Sequence, residues 1–262
     1  MVHGARSPEA EALTPSSVPV AIHAHSEWSY DADWPLARIG RVFGRLGARA
    51  VMMTEHDTGF DGHRFADYVA ECREVSTPAC MIIPGIEYSS PDNDIHILTW
   101  GLDRFLGEGR ATLHMLRDVA EAGGAAVFAH PKRREVWRRF SPDWIPYLAA
   151  VEVWNRKTDG LAPCREALAL INETGLPATV GVDFHRRQQV WPLLNRFGTG
   201  SGDDLEGALV QALRAGSVEP RAFGMPVLRD DHTFAASIRV HGAIESVRRG
   251  LKQVLQGSRQ GQ

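Results

Sequence analysis

The chain has 262 residues, of which 44% are hydrophobic and 23% charged, with a formal net charge of -3; this composition is typical of a globular protein with a full core and argues against non-specific binding to nucleic acid. No window is apolar enough to span a membrane, and residues 1–18 lack the apolar core of a signal peptide, which favours a cytoplasmic protein. The three cysteines form no CxxC pair, so neither a disulfide framework nor a thiolate zinc site is indicated.

Short apolar runs alternate with amphipathic segments along the chain, after a leader of residues 1–17 that we expect to be disordered. The predicted strands, each with a core of Val, Ile or Leu, are 18–25, 48–54, 80–87, 94–100, 125–129, 149–154 and 178–182. The predicted helices, in which apolar residues recur every three or four positions, are 35–46, 62–74, 109–122, 158–174 and 203–215. The third and fourth strands are too close in sequence for a crossover helix, which predicts a hairpin or an irregular strand there.

The alternation of strands and helices favours parallel strands joined by crossover helices. We therefore predict an α/β fold in which residues 18–228 form a distorted (β/α)7 barrel, closed or nearly closed. A strand-like segment, 220–227, ends the barrel. Residues 229–262 are expected to form a C-terminal helix, 233–255, and a flexible tail. That helix should pack on the barrel, because no Gly/Ser-rich linker separates the two.

Histidines and carboxylates collect at the ends of the predicted strands. The first strand ends in His23-Ala24-His25, and residues two apart on a strand point to the same side, so both imidazoles can reach one cation. The other candidate ligands at strand ends, within a strand or in the first loop are Asp31, His56, Glu87, His96, His130, Asp183 and His185. Strand ends line one face of a β/α barrel, which brings such residues together. Imidazole and carboxylate without thiolate suit Zn²⁺, Mn²⁺ or iron in a hydrolytic site.

These motifs, in this order over residues 20–186, resemble the ligand series of the PHP (polymerase and histidinol phosphatase) superfamily. The resemblance implies a distorted seven-stranded β/α barrel with a trinuclear metal centre that hydrolyses phosphate esters. It implies three sites with these ligands: His23, His25, Glu87 and Asp183 for the first ion; Glu87, as a bridge, with His96 and His130 for the second; Asp31, His56 and His185 for the third. We therefore expect two or three divalent ions of Zn, Mn or Fe. The short spacing between these ligands implies a compact barrel without an inserted domain.

The expected reaction is hydrolysis of a phosphate ester by a hydroxide that bridges two metal ions. Asp183 or His185 would pass a proton to the leaving group. Basic residues that follow the strand ends, together with an asparagine at the end of the sixth strand, are candidates for binding the substrate. These candidates are Lys132, Arg133, Arg134, Asn155 and Arg186. The expected partner is a small phosphorylated metabolite or nucleotide, with no stable nucleic-acid partner and no membrane; the oligomeric state stays open.

Three alternatives share part of this evidence. An amidohydrolase-like barrel that cleaves an amide or lactone also begins with an HxH motif, but such barrels usually carry a ligand Lys at the end of the fourth strand, and 94–100 contains none. An accessory, non-catalytic PHP module tends to lose ligands, whereas all nine candidates are present. A PHP-type nuclease is disfavoured by the acidic charge balance.

Overall fold

A computed structural model of the protein describes residues 16–199, 204–238, 240–241 and 244–245. The strands are β1 (Ser16–Ile22), β2 (Ala50–Met52), β3 (Glu55–His56), β4 (Met81–Ile83), β5 (Gly85–Ser89), β6 (His96–Trp100), β7 (Ala125–Phe128), β8 (Ala150–Asn155), β9 (Ala178–Gly181), β10 (Leu193–Thr199), β11 (Val218–Ala222) and β12 (Met225–Pro226). The helices are α1 (Leu36–Arg45), α2 (Phe65–Val75), α3 (Thr112–Glu121), α4 (Arg156–Asp159), α5 (Arg165–Thr174) and α6 (Leu205–Arg214). Short 3-10 helices cover Gly62–Arg64, Arg133–Arg139, Pro142–Tyr147 and Arg187–Gln189. None of these helices is long and apolar enough to cross a membrane.

The strands form two six-stranded sheets, in the orders β12-β11-β10-β1-β2-β4 and β3-β5-β6-β7-β8-β9. Parallel pairs join β1 to β2, β2 to β4, β3 to β5, β7 to β8 and β8 to β9, whereas β10, β11 and β6 pair antiparallel with their neighbours. The predicted mixed α/β class is confirmed. The predicted closed barrel is not seen among the described residues, where the strands divide between two sheets.

The division between the sheets has a visible cause at two predicted strands. The predicted strand 48–54 corresponds to β2, and β3 begins just after its end; the predicted strand 80–87 covers β4 and the start of β5. Each of these two segments of chain therefore serves both sheets in turn. At the break, the carbonyl of Met53 accepts a hydrogen bond from the Trp100 indole at 2.7 Å. Gly85 leaves room for this indole, because a Cβ atom there would overlap Trp100 and the Met53 carbonyl oxygen. A side chain therefore interrupts the strand ladder at this point.

The predicted hairpin between the third and fourth strands is confirmed, because β5 and β6 pair antiparallel with Ser89 opposite His96. The predicted helix 158–174 is instead α4 and α5, separated at Gly160, whose φ of 80° lies outside the helical range. Strand β10 was not predicted: its residues alternate between buried and partly or fully exposed positions, unlike the runs buried on both faces that the prediction relied on.

The ends of the chain lie largely outside the described residues. The leader was predicted to be disordered to residue 17, but β1 begins at Ser16, and residues 1–15 are not described. The predicted strand 220–227 corresponds to β11 and β12. Most of the predicted helix 233–255 is likewise not described, yet Ile238 is buried, and the His241 and Trp154 rings lie 5.8 Å apart.

Alternate residues of β1 enter two separate hydrophobic clusters, as the two-residue period of a strand requires. Val20 and Ile22 pack with Met52, Leu98 and other side chains of both sheets. Ala21 belongs to the larger cluster, which also contains the apolar faces of the helices that cover the sheets. Both faces of β1 are therefore fixed by packing, and the residues that follow it are held at a defined point in space.

Candidate metal centre

Three of the predicted ligands lie just beyond strand ends, and their backbone φ angles are positive, in the left-handed region. His23 follows β1 with φ 63°, His130 lies two residues after β7 with φ 30°, and Asp183 lies two residues after β9 with φ 50°. Such conformations cost about 1–3 kcal/mol each in residues other than glycine and cluster at functional sites. Asp and His tolerate them better than most side chains. Three turns of this kind at one end of the sheets direct these side chains towards one another.

Glu87, on β5, lies at the centre of a ring of imidazoles and is 1% exposed. The nitrogen atoms within 3.0 Å of its carboxylate oxygens are His96 Nδ1 at 2.7 Å, His130 Nε2 at 3.0 Å and His56 Nδ1 at 3.0 Å. His23 Nε2 lies at 3.4 Å and His25 Nε2 at 3.5 Å. One carboxylate thus contacts five histidines from four different segments of the chain.

Asp183 and Asp31 contact histidines of the cluster and, with His185, complete the set of nine. Asp183 Oδ1 lies 3.8 Å from the Nε2 atoms of both His23 and His25, and 3.3 Å from His185 Nδ1. Asp31, in the loop after β1, lies 3.3 Å from His56 Nε2 and 3.2 Å from His185 Nε2. The two histidines that contact Asp31 have their Nε2 atoms 3.2 Å apart. The structure therefore brings all nine predicted ligands into one continuous cluster.

The donor atoms of this cluster suit divalent metal ions. Three sets of buried donors each lie within 4.8 Å of one another: His23, Glu87 and His130; His23, His25 and Asp183; His25, His56 and His185. His23 Nε2 and His25 Nε2 are buried and have no hydrogen-bond partner, which is costly for a polar atom unless another group satisfies it. A metal ion would accept both lone pairs, and nitrogen and oxygen donors fit Zn²⁺, Mn²⁺ or iron.

The charges of the cluster favour the metal-binding form of some donors and the protonated form of others. Burial alone would raise the pKa of Glu87, but the surrounding imidazoles, led by His96 and His23, hold it well below its usual value. Burial, together with the neighbouring His56 and His185, lowers the pKa of His25 well below 6.5 and leaves the ring neutral at pH 7. For His56, burial is outweighed by Asp31 and Glu87, which raise its pKa to about 10. A metal ion at His56 would therefore have to displace a proton.

Two buried carboxylates behind the ligands were not predicted. Glu152 Oε1 lies 2.8 Å from His23 Nδ1. Glu55 accepts hydrogen bonds from the hydroxyls of Ser26 and Ser29, and Ser29 Oγ in turn lies 3.4 Å from His25 Nδ1. The sequence did contain a signal for Glu152, because a charged residue in the middle of the apolar run 149–154 must find a buried partner. Which partner it finds depends on the fold.

A cavity of about 200 Å³ opens onto the cluster. It is lined by Tyr30, Asp31, His56, Thr58, Glu87, Ser89, Asn93, His96, His130, Arg133, Lys157, Thr158 and Asp183. Lys157 Nζ, at the start of α4, lies 3.0 Å from His185 Nε2 and 3.4 Å from Asp183 Oδ1. Lys157 follows the sixth predicted strand and is one of the basic residues after strand ends that the sequence offered for binding the substrate. Its ammonium group and the Arg133 guanidinium give the cavity wall two positive charges.

Among the five predicted substrate contacts, only Arg133 lines this cavity. Arg134 is exposed and pairs with Asp94 of the β5–β6 hairpin at 2.6 Å. Asn155 is fully buried, accepts from the Thr158 N–H at the start of α4 and donates to Glu152. Lys132 is partly buried and Arg186 is exposed, and neither lines the cavity.

No protein-family model matches the sequence, and no curated protein matches it significantly. Solved structures match its fold. A two-domain protein of Bacteroides vulgatus containing a predicted PHP-like metal-dependent phosphoesterase is 17% identical over 83% of this chain and 68% of that chain, with a TM-score of 0.63. PsfC of Pseudomonas syringae is 19% identical over 89% of this chain and 98% of that chain, with a TM-score of 0.59. The lesion-specific endonuclease PfuEndoQ of Pyrococcus furiosus is 15% identical over 76% of this chain and 56% of that chain, with a TM-score of 0.53.

Proposed function

We propose, on the premise that the chain has the fold of the PHP superfamily as its motifs predicted, that it is a metal-dependent phosphoesterase acting on a small phosphorylated substrate. The observation that carries the proposal is the buried ring of histidines around Glu87, which opens into a small cavity with two positive side chains. Buried donors suited to metal beside groups suited to phosphate are what hydrolysis of a phosphate ester requires.

The nine candidate ligands would hold up to three metal ions. His23, His25, Glu87 and Asp183 would hold the first ion, Glu87 with His96 and His130 the second, and Asp31, His56 and His185 the third. When bound, such ions polarise the phosphate and lower the pKa of water, so that a nucleophile is available at neutral pH. Because the third set shares no residue with the other two, mutation of one of its ligands would remove the third ion and leave the other two in place.

The chain's own residues would bind and orient the substrate. Lys157 is 41% exposed at its side chain and faces the cavity beside Asp183, where its ammonium group can take a phosphate oxygen. Arg133 donates to the backbone carbonyls of Asn93 and Asp94 through Nη1, which fixes its guanidinium beside the β5–β6 hairpin. Asp183 lines the cavity and His185 contacts it, so the Asp183 carboxylate is the better placed of the two to take a proton from the attacking water and hand it to the leaving oxygen.

A small substrate fits this site better than a polymer. A cavity of about 200 Å³ holds a phosphate group and a short leaving group, and the net charge of -3 offers no general attraction for a polyanion. A nucleic-acid substrate is the second candidate, because the structural neighbour PfuEndoQ is a lesion-specific endonuclease. A lesion that exposes one phosphate or sugar would be needed to bring such a substrate to the cavity.

The test combines metal analysis with a substrate screen. Purified protein is analysed for bound metal, stripped with a chelator and reloaded with Mn²⁺ or Zn²⁺. It is then assayed on phosphomonoesters, phosphodiesters, nucleotides, a duplex with an abasic site, and an amide and a lactone. Glu87→Gln, purified in the same way, is the control for contaminating hydrolases. We expect metal-dependent release of phosphate from small esters by the wild type alone. Equal rates for the two proteins would contradict the proposal, and turnover of only the amide or lactone would favour the amidohydrolase alternative.

A further inference from the structure

We propose that Glu152 is a positioning residue that fixes the His23 ring so that its Nε2 lone pair faces the metal centre. The inference rests on the metal site of the proposed function. Glu152 lies on β8, is fully buried, and is not itself within reach of the cavity. Its Oε1 lies 2.8 Å from His23 Nδ1. Because a carboxylate only accepts hydrogen bonds, it requires the proton of His23 on Nδ1, which leaves Nε2 free to bind metal.

The other oxygen of Glu152 is also engaged, which explains why the position needs a carboxylate. Oε2 accepts from the backbone N–H of His130 at 2.8 Å and from the side-chain amide of Asn155 at 3.1 Å. The orientation of that amide is set by α4, because Asn155 Oδ1 accepts from the Thr158 N–H at 2.9 Å. Glu152 therefore faces donors on both oxygens, and it joins the backbone of one predicted ligand to the ring of another.

A glutamine at this position can hydrogen-bond either to His23 Nδ1 as an acceptor or to the two donors from His130 and Asn155, but not to both. Its carbonyl oxygen would face the two donors from His130 and Asn155, so its NH2 group would face His23 Nδ1. Two donors cannot share a hydrogen bond, and the ring would have to move its proton to Nε2. The neutral ring would then present an N–H to the metal centre in place of a lone pair. Glu152→Gln thus tests the position of one proton with almost no change in volume.

Packing around Glu152 leaves no space for its carboxylate to move towards the neighbouring strand. A Cβ atom on Gly181, at the end of the neighbouring strand β9, would overlap Glu152 Oε1 and approach His23 Cβ to 3.1 Å. Only glycine therefore fits beside the carboxylate. In the same ladder Glu152 pairs with Thr179, whose side chain is buried and hydrogen-bonds to none of the ligands. Thr179→Val is a matched control for disturbance of this strand pair.

The experiment measures zinc affinity by competition with a chelating dye in the wild type, Glu152→Gln and Thr179→Val. Histidine ¹⁵N NMR of the zinc-loaded proteins then shows which ring nitrogen of His23 carries a proton, with the His23 signals identified from their absence in a His23→Asn variant. We expect the wild type to carry the proton on Nδ1 and Glu152→Gln to bind zinc about 10- to 100-fold more weakly. Thr179→Val should stay within about threefold of the wild type, as expected for a residue whose hydroxyl hydrogen-bonds to no ligand.

Two results would overturn the inference: unchanged zinc affinity in Glu152→Gln, or a proton on Nε2 of His23 in the zinc-loaded wild type. The second result needs no variant, so it decides the matter even if Glu152→Gln fails to fold. A wild type that binds zinc as described but hydrolyses no phosphate ester would contradict the proposed function and still support the role of Glu152.

Discussion

Replacing Glu87 by Gln removes one negative charge from the centre of the group of histidines that surrounds it, with almost no change in volume. Three imidazole nitrogens, from His96, His130 and His56, lie 2.7–3.0 Å from its carboxylate oxygens. The amide offers only one acceptor and turns an NH2 group towards rings that previously faced an oxygen. Removing one partner of a buried charged pair costs about 3–5 kcal/mol, and this set is buried. We therefore expect the free energy of unfolding of the metal-free variant to fall by about that amount.

The assay is urea denaturation at pH 7 of both proteins after exhaustive treatment with a chelator, followed by metal analysis after reloading. Glu121→Gln, which neutralises an exposed carboxylate at the end of α3, is the matched control and should change stability by less than about 0.5 kcal/mol. With metal restored, Glu87→Gln should retain fewer ions and lose phosphatase turnover on the order of 10²-fold or more. A metal-free Glu87→Gln as stable as the wild type, or one that binds the same number of ions, would refute the central position assigned to Glu87.

His56→Ala should bind about one metal ion fewer per chain and lose on the order of 10²-fold of its activity on phosphate esters; equal metal content by elemental analysis would show that no separate third site exists at this residue. Lys157→Met should raise KM for the best phosphomonoester clearly more than Arg186→Ala does, because only the lysine lines the cavity; equal effects in steady-state kinetics would contradict the placement of the substrate. Gly181→Ala should weaken zinc binding in the same direction as Glu152→Gln, because the added Cβ would displace that carboxylate; wild-type zinc affinity would show that the strand can shift to accommodate it.

The sequence was sufficient to identify the nine candidate ligands that the structure brings together, because each motif is local. A His-x-His pair places two imidazoles within a few residues of each other, and in the structure the His23 and His25 rings lie 5.4 Å apart although His23 has a left-handed backbone. The order of the motifs and their places at strand ends then predicted a mixed α/β protein and one convergent cluster, and the structure has both. The β5–β6 hairpin was also predictable, since the six residues between the predicted strands 80–87 and 94–100 leave no room for a crossover helix.

Other features depended on contacts between segments far apart in sequence. The sequence did not indicate that Trp100 would interrupt the ladder at Met53, or that Glu152 would meet His23 across 129 residues. It also ranked Arg133 and Arg134 together as substrate contacts. The structure separates them, because the backbone turns through left-handed conformations at Arg134, and its side chain pairs with an aspartate of the hairpin instead of lining the cavity.

The sequence by itself therefore determined which residues can bind metal, since that depends on the chemistry of each side chain and on its place at a strand end. The tertiary structure alone decided how those residues are supported. It gave Glu152 the donors that fix its orientation, placed Lys157 beside Asp183, and left His23 Nε2 and His25 Nε2 buried without partners. The physical reason is that the direction of a side chain and the partner it meets are set by packing between strands and loops distant along the chain, which a local pattern does not encode.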